Sequence, residues 1–110
     1  MKKEYRIKDS QEFLSIMQYK KFYHTPSFTL YVKPRGVDHM RAGISAGKKL
    51  GNAVVRNKVK RQIRMMIMET CTFEEEYDII ILVRPHFLEE NYNTNKKLLE
   101  SVVKKVKIDR

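Results

Sequence analysis

Residues 41–64 read RAGISAGKKLGNAVVRNKVKRQIR, and three kinds of pattern follow one another there. Around its start the apolar residues alternate: Met40, Ala42, Ile44 and Ala46 share one face, so residues 39–46 are expected as a strand. Residues 47–51 form a basic loop bounded by glycines. Asn52 can then cap a helix that runs to about Glu69, with Val55, Val59, Ile63 and Met66 as its buried stripe. Strand, loop and long helix in that order require a sheet with a helix packed on it.

The same stretch carries eight basic residues and no acidic one. Arg56, Lys60 and Arg64 are spaced i, i+4 and i+8, so they stack on one helix face and repel each other. A merely solvated basic face is the ordinary reading of such a run. Three features argue against it. The face lacks the i, i+4 acidic partners of a soluble helix. Asn57 sits among the cations and can donate to phosphate or base. Lys48 and Lys49 precede the helix N-terminus, where backbone N–H groups also attract anions. A phosphate backbone on this face removes the repulsion.

Working outward, Asp9 to Glu12 resemble a capping box that opens a helix to about Lys21, carrying Phe13, Leu14, Ile16, Met17 and Tyr19. Residues 22–26 are expected to be a connection. Residues 27–33 alternate as a strand, with Phe28, Leu30 and Val32 on one face and Thr29, Tyr31 and Lys33 on the other. Residues 77–83, YDIIILV, are nearly unbroken apolar, which suits a central strand covered on both faces. Asn93 or Thr94 is expected to begin a last helix with Leu98, Leu99, Val102, Val103 and Val106 inward and lysines outward. The order α-β-β-α-β-α implies one α+β domain over residues 1–110: a small mixed sheet with packed helices, an α/β sandwich.

Composition narrows the function. The 110 residues are 42% hydrophobic and 10% aromatic, enough for one ordinary core, with a formal net charge of +10. That charge points to nucleic acid or an anionic membrane surface. No apolar run approaches the ~20 residues that span a bilayer. The first residues, MKKEYRIKDSQEF, lack the apolar segment of a secretory signal. The single cysteine, Cys71, permits no internal disulfide and fits a reducing, cytoplasmic setting.

Catalytic patterns are missing. GISAGKKLG fails the phosphate-loop pattern, because Gly43 to Gly47 is one residue short and Lys49 stands where Ser or Thr is needed. His24, His39 and His86 show no ligand spacing, and Glu74, Glu75 and Glu76 are expected in a solvated loop. No catalytic residue and no protein metal site is expected. A DNA-binding module is disfavoured, since no helix-turn-helix pairing is evident. Phe13 and Tyr31 are the candidate stacking rings for unpaired bases. Their ordinary readings are core for Phe13 and a sheet residue under a helix for Tyr31.

GISAGKKLGNAVVRNKVKRQIR resembles the signature of the bacterial ribonuclease P protein component, with its R-N-x-x-K-R-x-x-R helix. QEFLSIM, SFTLYV, RAGIS and YDIIILVRP are similar to that family's first helix and three strands, so the likeness runs from about Tyr5 to Lys107. The resemblance implies the protein subunit of a ribonucleoprotein endonuclease that removes the 5′ leader from precursor tRNA. It implies a catalytic RNA subunit, magnesium ions bound mainly by RNA, and a ribosomal-protein-like fold with a left-handed β-α-β crossover, where physics alone favours the right-handed form. Carried over by position, Lys48, Lys49, Arg56, Asn57, Lys60, Arg61 and Arg64 would contact the catalytic RNA. Phe13, Met17 and Tyr31 would line a cleft for the leader. Met17 stands where the family often has a second aromatic, Gly47 where a Ser is common, and KKFYHTP lacks the usual glycine. A ribosome- or translation-associated RNA-binding protein is the rival expectation, sharing charge and fold type.

Overall fold

The computed structural model describes residues 1–107. Helix α1 spans Ser10–Gln18, strands β1, β2 and β3 span Lys21–His24, Phe28–Pro34 and Ala42–Ser45, helix α2 spans Ala53–Thr70, strand β4 spans Tyr77–Val83 and helix α3 spans Tyr92–Lys105. The sheet order is β1-β2-β4-β3. β1 and β2 are antiparallel, as are β2 and β4, whereas β3 runs parallel to β4 and reaches it through α2. This is the expected α+β fold with one strand more. Residues 21–24 are a strand and not a connection, so the order is α-β-β-β-α-β-α.

Pleating divides the sheet. Phe28, Leu30, Val32, Ile79 and Ile81 face Val59, Ile63, Met66 and Ile67 of α2 and Leu99 and Val102 of α3, forming the main core. Each buried Ile or Leu here stabilises the fold by roughly 1.5–3 kcal/mol. Ile80 points the other way, beneath α1, where it joins Ile7 and Ile16 with Phe13, Met17 and Tyr31 around them. β4 is therefore covered on both faces, as its apolar run requires.

Helix ends follow local chemistry. Asp9 caps α1 by accepting from Gln11 N at 2.7 Å. The reciprocal half of the expected capping box is not made: Glu12 turns to Arg41 Nη1 at 2.7 Å. α1 stops at Gln18, earlier than expected, because Lys20 takes a left-handed φ of 66°. Asn52 caps α2 through Val55 N, worth about 1 kcal/mol. Asn91 caps α3 through Thr94 N, which starts that helix before the expected Asn93. The basic loop holds a short 3-10 turn, Lys48–Leu50, closed by Gly51 at φ 138°, a conformation only glycine adopts readily.

Candidate nucleic-acid interface

β3 is an edge strand, and this places the site. α1 lies on one face of the sheet and α2 on the other, so their side chains meet only around that edge. The N-terminal segment runs beside the start of β3, with Arg6 bridged to Ala42 and Ile7 N donating to Ala42 O at 3.0 Å. The result is a groove of about 250 Å³ lined by Arg6, Lys8, Phe13, Gly43, Lys60 and Arg64, among others. Its floor holds the Phe13 ring against the bare backbone of Gly43. A Cβ there would lie 2.6 Å from Phe13 Cζ and 2.7 Å from Ile80 Cδ1.

The groove is suited to an anion. Its lining contains four basic side chains and no acidic one. Arg64 has its guanidinium pKa lowered by burial first and by the charge of Arg6 second, and it remains charged. The Nε atoms of Arg6 and Arg56 are out of solvent without a hydrogen-bond partner. Among the described residues, Lys48, Lys49, Arg56, Lys60, Arg61 and Arg64 make no ion pair. An anion lying here gains charge-assisted hydrogen bonds and relieves repulsion between the guanidinium groups.

Phe13, Lys60 and Arg64 thus share one groove, which unites residues expected in two separate roles. Met17 and Tyr31 sit next along the same sheet face, packed with Phe13 around Ile16 and Ile80. Phe13 is half-buried in the smaller core, its ordinary reading, and it also lines the groove. Lys48 and Lys49 lie beyond the far end of β3, where they border a second basin of about 480 Å³ with Ser45, Leu82 and Arg84. Arg56, Asn57 and Arg61 do not line the first groove; Asn57 and Arg61 stand exposed on the outer face of α2.

Arg41 is committed elsewhere. It pairs with Glu12 and with buried Asp78, which also accepts from Arg41 N at 2.8 Å. Lys33 donates to Ser15 at 2.6 Å, so two cations fasten α1 to the sheet. Lys96 pairs with Glu69, which also accepts from Tyr92, and this clamps α3 to α2. Burial pushes the Cys71 thiol up to about 12, so it stays protonated and unreactive. Glu75 accepts from Thr72, and Arg35 donates to the carbonyls of Glu74 and Glu75. No group of three His, Cys, Asp or Glu able to hold a metal occurs among the described residues.

Sequence reasoning missed Arg6 and Lys8, and also Phe22, an exposed ring beside Tyr31. The charge of the first two was visible, but nothing local said that their segment pairs with β3. Phe22 was hidden by reading its strand as a connection.

A family profile described as Ribonuclease P matches residues 1–107. The chain is similar to the ribonuclease P protein component of Mycoplasma capricolum subsp. capricolum, with 45% identity over 109 residues, 97% of this chain and 100% of that protein. It is similar to a structure of the Staphylococcus aureus RNase P protein, with a TM-score of 0.82 and 36% identity over 91% of this chain and 93% of that one. The RNase P protein from Thermotoga maritima shares the fold, with a TM-score of 0.81 at 24% identity over 94% and 98% of the two chains.

Proposed function

This chain belongs to the ribonuclease P protein component family, and from that premise we propose that its groove holds the single-stranded 5′ leader of precursor tRNA while the basic face of α2 holds the catalytic RNA. Ribonuclease P is an endoribonuclease of tRNA processing, and this protein is its protein component. The nearly full-length match favours that role over a ribosome-associated one. In our reading the catalytic centre and the magnesium ions belong to the RNA subunit and its substrate, and the complex works in the cytoplasm. Among the described residues no helix is long and apolar enough to cross a membrane.

One observation carries the proposal: a half-buried ring and four cations, with no acid, line one groove at the sheet edge. Aromatic and apolar surfaces take unstacked bases without demanding a sequence, which suits substrates that share a tRNA body but differ in leader. Lys60 and Arg64 neutralise phosphates, and Arg adds a planar fork that Lys lacks. On α2, Arg56, Asn57, Lys60, Arg61 and Arg64 present donors along the helix, and Lys48 and Lys49 extend them past its N-terminus. Neutralising phosphates in this way lowers the magnesium needed to screen RNA–RNA repulsion.

The test compares leader-bearing precursor with mature tRNA on the holoenzyme. Tyr31→Ala should weaken precursor binding by roughly 1–3 kcal/mol and mature tRNA binding far less. Equal loss for both would take Tyr31, which packs in the same cluster as Phe13, out of the leader's path. In the same assay Arg56→Ala, Lys60→Ala and Arg64→Ala should each weaken holoenzyme assembly; wild-type assembly in all three would contradict the assignment of that face.

A further inference from the structure

Beyond Tyr31, the same sheet face carries side chains that the reading above leaves unused. In the β1–β2 pairing Phe22 lies opposite Tyr31 and His24 opposite Thr29, so all four rise from one face. The Phe22 ring, 46% exposed, stands 5.7 Å from Tyr31 between centroids and meets His24 edge-on at 4.9 Å. His24 Nδ1 is 2.9 Å from Thr29 Oγ1. Arg84, just past β4, donates to that same oxygen from Nε at 3.2 Å and from Nη2 at 3.0 Å. Contacts therefore run unbroken from Tyr31 through Phe22, His24 and Thr29 to Arg84.

Thr29 is fully buried and acts as the anchor. Its hydroxyl has two lone pairs and one proton. Arg84 can only donate, so its two N–H groups take the lone pairs and the proton is left for His24 Nδ1. A saturated, buried hydroxyl holds two exposed side chains in one orientation, which reduces the entropy lost when they bind a ligand. Arg84 also borders the basin that holds Lys48 and Lys49. The charge there selects an anion, and an exposed ring linked through His24 and Thr29 to a fixed guanidinium offers one surface for a base and one for a phosphate.

We propose that Phe22, with His24 and the Thr29-anchored Arg84, forms an additional nucleotide subsite that extends the groove beyond Tyr31. The Phe22 ring takes one base, and Arg84 takes one phosphate. The subsite rests on the leader reading above, and its test keeps the two separable.

The experiment measures holoenzyme affinity for precursor tRNAs that differ only in leader length, with the wild-type protein, Phe22→Ala, Phe22→Tyr, Arg84→Gln and Tyr31→Ala. The readout is the gain in affinity on lengthening the leader. Phe22→Ala should reduce that gain by about fivefold or more, and Phe22→Tyr should keep it. Arg84→Gln should lower the slope of log affinity against log salt by about 0.7, as expected for one single-strand phosphate. Should Phe22→Ala keep the gain while Tyr31→Ala loses it, the subsite is overturned and the leader reading stands. Should both keep it, both readings fall. Equal weakening by Phe22→Ala at every leader length, loss of the gain in Phe22→Tyr, or an unchanged salt slope in Arg84→Gln also overturns the subsite.

Discussion

At Gly43 the backbone of β3 lies against the Phe13 ring so closely that one added methyl would sit 2.6 Å from it. Gly43→Ala should therefore cost about 1–3 kcal/mol and push the ring out of the groove. Thermal unfolding paired with precursor binding checks this; unchanged stability would show that Phe13 does not rest there. A second residue is tuned by its protonation. His39 donates from Nε2 to the carbonyl of Glu4 and lies 3.1 Å from an Asp38 carboxylate oxygen. The Glu4 carbonyl first, and Asp38 second, raise its pKa above the ordinary 6.5. Because the folded value is the higher one, this contribution is complete below about pH 6.5 and is lost as pH rises through the folded value. It also helps tie down the segment that carries Arg6 and Lys8. In denaturant unfolding, the stability gap between wild type and His39→Gln should be larger near pH 5.5 than near pH 8.5. A gap that is constant or grows with pH contradicts this account of His39.

Among the elements, α1 is the one whose end departs from the usual chemistry. Lys20 takes the left-handed conformation normally given to glycine after a helix. Lys20→Gly should thus stabilise the protein by up to about 1 kcal/mol, raising Tm by several degrees in a thermal melt; a lowered Tm would mean that the lysine side chain makes a compensating contact. The long elements were legible because their signals are strong. The 77–83 strand matches its apolar run residue for residue, and α2 begins at the capping Asn52 and ends within a residue of expectation. β1 was not legible. It is four residues at a sheet edge, with one side chain of each pair outward, and K-F-Y-H has too few apolar residues to show alternation. The α1 capping box failed for a tertiary reason: Arg41, held by buried Asp78, offers Glu12 a better partner than the backbone of Asp9.

Across the whole molecule the charges are sorted by task. Acidic side chains work locally: Glu12 and Asp78 hold Arg41, Glu69 holds Lys96, and Glu89 and Glu90 flank His86. The basic residues of α2 and of the loop before it are left facing outward. The surplus itself was plain from composition, and so was the stacking of Arg56, Lys60 and Arg64. Their meeting with Phe13 was not, because it depends on α1 and α2 lying on opposite faces of the sheet around the β3 edge. No local pattern encodes that arrangement. We propose that the whole molecule assists an RNA catalyst by neutralising phosphates and gripping the leader. The most direct measurement is precursor-tRNA cleavage by a bacterial ribonuclease P RNA at low magnesium, with and without the protein. Cleavage at the mature 5′ end is expected only when both are present, with no cutting by the protein alone. Binding of the RNA without restored cleavage, or cleavage by the protein alone, would contradict it.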